Sequence, residues 1–389
     1  MAFAFNRAIT IDHTKCGGSD SSSFPVLVNT APASAGVLGS LKSAANGGHV
    51  QSSSGFDIYF YSDAGLTTRL PAERVGYDPT TGIGEWWVQV ATLSHSSDTV
   101  IYIAYGDSGI STDPNSDATY GKTKAWDASF AAVWHFNENT GTVAHDSTSN
   151  GIDMTMSLNL SLNTPWSGAG QIGPVTVNGF GSGGSGTGGG GSGDANGFKN
   201  ATTTPLCGSG TVDFTIEGWI KIPTAHYAGS DYSIFSQWTA SGAMVYGTGS
   251  GGYDVFRDGS SLALSTAISN DNSWHHIVGQ KSGSTGNLYV DGALVTTGSL
   301  GGATVTNPAI SADIAGYNGE QRGPLPGFMD ETRVSTTARS ADWILAEYNN
   351  QFIPDKNASA SGFYTFGSES GGAVSQVPYQ NYYQPIVTQ

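Results

Sequence analysis

Residues 272–295 read NSWHHIVGQKSGSTGNLYVDGALV. Trp274–Gln280 is one strand, SGSTG (282–286) is a turn, and Asn287–Val290 is a second strand. Asp291-Gly292 is then a two-residue loop, and Ala293–Thr297 runs back. Asp-Gly between apolar runs is a strong hairpin signal, because both central residues of that turn need φ > 0. The rest of the chain must supply the sheets into which this three-stranded unit fits.

Composition agrees with strands. Of the 389 residues, 38% are apolar, 12% are charged and 55 are Gly, about twice the usual share. The length suggests two domains. Long helices are not expected; strands joined by turns are. Lys and Arg number 15 against 31 Asp and Glu, a formal charge of −16. That argues against nucleic acid, which needs a basic footprint, and against anionic membrane surfaces. No apolar run reaches membrane-spanning length. The opening MAFAFNRAIT has no basic start or long apolar run, so synthesis in the cytoplasm without a signal peptide is expected. The two cysteines, Cys16 and Cys207, fall in different expected domains and leave their pairing open.

The expected fold class is all-β: two antiparallel β-sandwich domains, then a short helix and an extended tail. Residues 1–122 contain the strand-like runs FPVLV (24–28), FDIYFYS (56–62), EWWVQVATL (85–93) and TVIYIAYGD (99–107). In the second of these, Ile58 and Phe60 share one face, Tyr59 and Tyr61 the other. Together with RAITIDHTK (7–15) and GFDIYFYSDAGLTTRLPAE (55–73), these runs resemble a bacterial and phage domain of unknown function. That domain typically precedes a laminin-G-like domain and has no chemistry to lend.

Residues 123–352 resemble the laminin-G-like branch of the concanavalin A-like lectin/glucanase fold, a jelly roll of two antiparallel sheets. The residues that carry this are AAVWHFNENTGTVAHDSTSNG (131–151), VDFTIEGWIKI (212–222), the W-H-H and L-Y-V-D-G of the opening stretch, and residues 309–351. Ser340 is a helix N-cap signal, with Trp343, Ile344 and Tyr348 as the buried stripe. A Gly-rich insertion at 168–197 departs from the family and reads either as a mobile loop or as a packing element between subunits. In residues 353–389, GFYTFGS (362–368) reads as one more strand, and the remainder, rich in Tyr, Gln and Pro, either as a loose end or as an extended C-terminal arm laid on a neighbouring subunit.

Catalysis is not expected. Glucanases of this fold carry a Glu-x-Asp-x-x-Glu run, and retaining hydrolysis needs two carboxyls about 5–5.5 Å apart. No such run occurs; Glu217 has no carboxylate two residues away, and Asp330-Glu331, being adjacent, point to opposite faces of a strand. His275-His276 face opposite ways for the same reason and read as framework. The resemblance implies a structural calcium site where HDSTSNG (145–151) meets FMDETR (328–333), with Asp146, Asn150 and Asp330 as ligands. Equally, Asp146 suits an Asx-turn and Asp330 a pair with Arg333. For glycans, which want rings flanked by amides, the candidates are Trp238, Tyr246, Tyr253, Tyr317, Asn318 and Gln321.

The function expected from all this is a non-enzymatic, lectin-like structural protein on a virion surface. It would bind glycans, contact other virion proteins and form homo-oligomers through its arm. A bacterial cell-surface adhesin with the same domains is the alternative, and a carbohydrate-active enzyme the second alternative.

Overall fold

The structure, a computed structural model, describes residues 3–31, 33–138, 140–157, 166, 170–172, 180–181, 197–200, 206–207, 212–222, 232–238, 242–248, 253–258, 263–267, 271–299, 312–314, 328–352 and 362–371. In chain order the first strands are β1 (Phe5–Ile11), β2 (Ser21–Asn29), β3 (Tyr59–Tyr61), β4 (Ala72–Tyr77), β5 (Gly84–Leu93) and β6 (Thr99–Tyr105), with helix α1 (Ala35–Leu41) after β2. There follow β7 (Phe130–Trp134), β8 (Val143–Ala144), β9 (Met154–Ser157), β10 (Phe180–Gly181), β11 (Gly197–Asn200), β12 (Phe214–Lys221) and β13 (Tyr232–Trp238). Next come β14 (Gly242–Thr248), β15 (Tyr253–Asp258), β16 (Ala263–Ala267), β17 (Trp274–Ser282), β18 (Thr285–Val290) and β19 (Ala293–Ser299). Last are β20 (Ala312–Ile314), β21 (Phe328–Ser335), helix α2 (Ala341–Gln351) and β22 (Tyr364–Gly371).

The opening stretch forms the three strands its pattern dictates. Asp291 (φ 51°) and Gly292 (φ 75°) make the turn between β18 and β19. The first turn is tighter than expected. The ladder runs on to Ser282–Thr285, because Gly283 (φ 58°) lets the chain reverse there. A side chain at Gly292 would meet Tyr348 Cβ at 3.1 Å as well as a disfavoured φ. Gly292→Ala is therefore expected to cost about 1–2 kcal/mol by thermal denaturation.

Four sheets stack. The first unit pairs β22-β1-β6-β3 with β2-β5-β4. The second pairs a seven-stranded sheet (β10-β21-β12-β17-β18-β19, with β7 on β21) with an eight-stranded one (β16-β15-β14-β13-β20-β11-β9-β8). All strand ladders among the described residues are antiparallel. Phe24, Val26, Ile58, Phe60, Trp86 and Ile101 fill the first core, and Phe214, Ile216, Ile220, Phe235, Val245 and Ile277 the second. Tyr59 and Tyr61 lie on the other face, in a separate cluster, as their alternation requires. Cys16 and Cys207 sit in different cores.

Sheet β2-β5-β4 is buried on both faces, so EWWVQV reads as an apolar run rather than an alternating one. Trp86 enters the first core, stacking edge-on near Phe60. Trp87 faces the second unit, 4.2 Å from the Arg333 guanidinium.

Two expectations about the C-terminal part are corrected. Ser340 caps α2 as read, its hydroxyl accepting from Trp343 N (3.1 Å). The helix, however, is buried on more than one stripe. Trp343 and Ala346 pack into the first unit's core, whereas Ile344 packs on Val278 and Tyr289 of the second. Of the segment 353–389, the described part 362–371 returns to its own chain rather than leaving as an arm: β22 pairs with β1 from Phe5–Gly371 to Ile11–Tyr364. The exposed edge of β2 is closed by side chains that imitate a strand. Asn350 accepts from Leu27 N (2.7 Å) and donates to its carbonyl (3.0 Å). The Tyr364 hydroxyl does the same at Asn29 (2.7 and 2.8 Å). The Gly-rich segment is almost wholly outside the described residues, as are residues 372–389.

Candidate functional site

Register brings ionisable groups together between the two units. On β4 and β5, Glu73 lies opposite Trp87, and Glu85 is two residues from it, so all three share the face toward the second unit. On the second unit Glu217 and Trp219 alternate on β12, with His276 opposite Trp219. On β21 the pairing slips: Glu217 faces Arg333 and Trp219 faces Asp330, so Glu331 and Thr332 together oppose Gly218. This is a β-bulge, and Glu331 takes φ 52° within it. Asp330 and Glu331, expected on opposite faces, therefore both reach the layer between the units. Glu85 feels both charges.

The layer is dry and densely bonded. His135 Nδ1 lies 2.7 and 2.9 Å from the Glu331 oxygens, and Nε2 is 3.3 Å from Glu73. Glu73 also accepts from Trp126 Nε1 and Ser147 Oγ, both at 2.7 Å. Arg333 donates to Glu331 (2.8 Å) and Glu347 (3.4 Å). Burial alone would lower His135, but Glu331 and Glu73 outweigh it and raise it to about 10. His276 goes the other way, to about 4, because burial dominates there. Burial, then the Glu331 charge, pushes Glu85 and Asp330 well above the usual carboxyl range; burial, then Glu217, does the same to Glu347. Among the described residues, both Glu85 oxygens, Asp330 Oδ1 and Glu347 Oε2 find no hydrogen-bond partner. Burial without such partners favours the neutral form of a carboxyl. The layer's carboxyls are all buried, out of reach of a polymer at the surface.

The expected calcium ligands do not converge. Asp146 Oδ1 accepts from Val133 N and Thr148 N, and Oδ2 from Thr148 Oγ1 and Ile152 N, so four donors already occupy the carboxylate. It works as a turn former, one of the two roles its sequence allowed. Asn150 donates to the carbonyls of Phe130 and Ala131. Trp134 of β7 pairs with Asp146 on one side and Thr332 on the other. One strand therefore separates Asp146 from β21, about 10 Å across two strand spacings. Asp330 Oδ2 accepts from Ile172 N (3.0 Å) rather than pairing with Arg333. Among the described residues, the grouping of carboxylate and imidazole atoms close enough to share an ion is Asp12, His13 and Asp98, at the surface of the first unit. The donor set at Asp146, Asn150 and Asp330 does not fit calcium.

Three of the expected glycan residues fall on adjacent strands of the eight-stranded sheet. Tyr246 pairs with Ser233 and Val255, Trp238 with Gly242, and Tyr253 with Thr248. Gly242, Tyr246 and Thr248 alternate on β14, so the register assigns Trp238, Tyr246 and Tyr253 to one face. Val245, at the alternate position, belongs to the core. Tyr317, Asn318 and Gln321 lie outside the described residues.

Residues 54–149 match a domain of unknown function (DUF2341), and residues 193–345 match the concanavalin A-like lectin/glucanases superfamily. The chain joins a DUF2341 domain to a concanavalin A-like domain. The first match continues past β6 through β7 to the Asp146 turn, so the family boundary and the sheet boundary differ. No curated protein matches. Solved structures that this chain is similar to include the binding domain of Paraclostridial Mosquitocidal Protein 1 (12% identity, TM-score 0.40, covering 57% of this chain and 52% of that one). They also include a botulinum neurotoxin type C structure concerned with ganglioside interaction (16%, 0.42, 58% and 52%). A third is the botulinum neurotoxin DC binding domain (15%, 0.41, 58% and 52%). The chain spans about half the length of these solved chains.

The buried layer was missed in the sequence. Of the chain's glutamates, Glu73, Glu85, Glu217, Glu331 and Glu347 all lie in it. A signal was present: in FTIEGWI, GEWWVQV and FMDETRV a carboxylate interrupts a run that burial would otherwise claim. Lone carboxylates in such runs need partners. Arg333, His276 and His135 supply those partners to Glu217, Glu331 and Glu347, and His135 also reaches Glu73 of the first unit, a contact that reading each unit separately hides.

Proposed function

We propose that this chain is a non-enzymatic, lectin-like protein whose concanavalin A-like domain holds glycans on the outer face of its eight-stranded sheet. The observation that carries this is the register placing Trp238, Tyr246 and Tyr253 on the face alternate to the core residue Val245. Tyr246 and Tyr253 are diagonal neighbours, about 7–8 Å apart. Trp238 lies opposite Gly242, four residues from Tyr246 and about 13 Å along the sheet. That spacing suits an oligosaccharide rather than a single ring. Tyr317, Asn318 and Gln321 follow β20 in the sequence and remain candidates, a ring and two amides, by residue type alone. Binding without cleavage is supported by the missing Glu-x-Asp-x-x-Glu run and by the burial of the layer's carboxyls.

A place on a virion surface completes the proposal, supported by the first unit's resemblance to a domain of phage and bacterial proteins. Terminase and portal genes beside its gene would support that placement, and envelope genes would sink it. For the glycan, Tyr246→Ala and Tyr253→Ala are each expected to weaken binding on a glycan array about ten-fold. Unchanged binding by both variants removes the sheet face from consideration. Release of reducing ends from any bound glycan would show an enzyme instead.

A further inference from the structure

A groove runs along the seam between the two units. It consists of two adjoining depressions, of about 570 and 370 Å³, that share Ser23 and Asp127. Neither unit makes it alone. Ser23, Gln89 and Thr119 come from the first, and Thr123, Ser149 and Asn150 from the second. The volume of the larger depression falls in the range of ligand sites.

Its chemistry is narrow. Asp127 is held by both terminal nitrogens of Arg339 (2.8 and 3.1 Å) and accepts from Ser129 N (2.7 Å), so carboxylate and guanidinium cancel. Lys124 is exposed at the rim. What remains is a wall of hydroxyls and two amides, with Trp126 and Phe130, 5.2 Å apart and edge-on, among the lining residues. An apolar ligand gains little there, and neither does a strongly charged one. Trp126 and Phe130 are buried beneath the floor, so a neutral polyhydroxylated chain would be held by matching its hydroxyls to the hydroxyls and amides of the wall.

Ser23 adds an independent observation. It sits inside β2 with φ 52°, although the pairing continues in register on both sides, at Ser22–Thr92 and Phe24–Val90. A left-handed non-glycine costs about 1–2 kcal/mol. Such outliers gather at ligand clamps, and this one stands where the two depressions meet.

We infer that the seam groove is a binding site for a neutral oligosaccharide, separate from the sheet face. It rests on the groove's own residues and not on Trp238, Tyr246 or Tyr253. Amide hydrogen exchange of the full chain tests it, with maltohexaose, cellohexaose and chitohexaose as probes at millimolar concentration. At least one probe should slow exchange across 119–130 and 147–151. Gln89→Ala combined with Thr123→Val should weaken that protection about ten-fold. Ser149→Leu, at an exposed turn, should block the groove without touching the core, and serves if the double variant melts lower. Protection confined to 242–258, or protection of 119–130 that survives both variants, overturns the inference. The first of these outcomes leaves the sheet-face proposal standing; protection confined to 119–130 does the reverse. Protection at neither place with all three probes overturns the groove.

Discussion

Deleting residues 362–389 is expected to lower the melting temperature by about 10 °C or more and to expose the amides of β1 to exchange. The strand lost, β22, pairs along the whole of β1. Phe363 is fully buried and Tyr364 nearly so, both in the first unit's core. Emptying a buried Phe site alone costs about 3–5 kcal/mol. For a chain of this size each kcal/mol is worth roughly 2–4 °C. The strand's polar groups are built into the unit as well. Glu369 accepts from Tyr105 (2.7 Å) and lies 2.9 Å from His49 Nδ1. Tyr364→Phe is the finer test. It removes only the hydroxyl and strands the Asn29 amide and carbonyl, at a cost of about 1–3 kcal/mol. Unchanged melting in both cases, with β1 amides still protected, would contradict the pairing.

The second large effect concerns the layer between the units. Arg333→Ala leaves Glu331, Glu217 and Glu347 without their buried cation and should cost about 3–5 kcal/mol in chemical denaturation. A loss below about 1 kcal/mol would mean that the layer does not join the units. The same layer sets a pH dependence whose sign can be worked out. Glu85, Asp330 and Glu347 are raised, so their contribution is whole below the ordinary carboxyl range and is lost as pH rises through their folded values. His135, raised to about 10, gives a contribution that is whole below about 6.5 and drains away toward 10. His275, raised to about 9 mainly by its hydrogen bond to Asp291, acts in the same direction. Glu73 and Glu331 are lowered and lose theirs only on acidification. Melting temperature should therefore fall steadily between pH 6.5 and 10. Glu85→Gln, neutral at every pH, should flatten part of that slope, whereas an equally steep decline in the variant would remove Glu85 from the account.

Much of the fold was legible because it rests on local rules. The Asp291-Gly292 turn needs two left-handed residues, and two residue types that tolerate that conformation stand there. The alternation at 58–61 sorts Ile58 and Phe60 from Tyr59 and Tyr61 without reference to anything distant. The Ser340 cap is equally local. What escaped depends on partners far along the chain. The alternation rule placed Asp330 and Glu331 on opposite faces, but a bulge opposite Gly218 breaks the count. GFYTFGS shows a strand by its own pattern, but its partner, β1, is more than 350 residues away and no local rule names it. In the sequence Trp238, Tyr246 and Tyr253 are scattered aromatics, and only the register of β13, β14 and β15 assigns them to the one face proposed for glycans.

The pairing of β22 with β1 also imposes a timetable on biosynthesis. At roughly 5–20 residues per second, about 20–70 s separate the emergence of β1 from that of its outer neighbour. Until then the outer edge of β1 has no strand beside it, and any chain that stops short of residue 364 keeps that edge open.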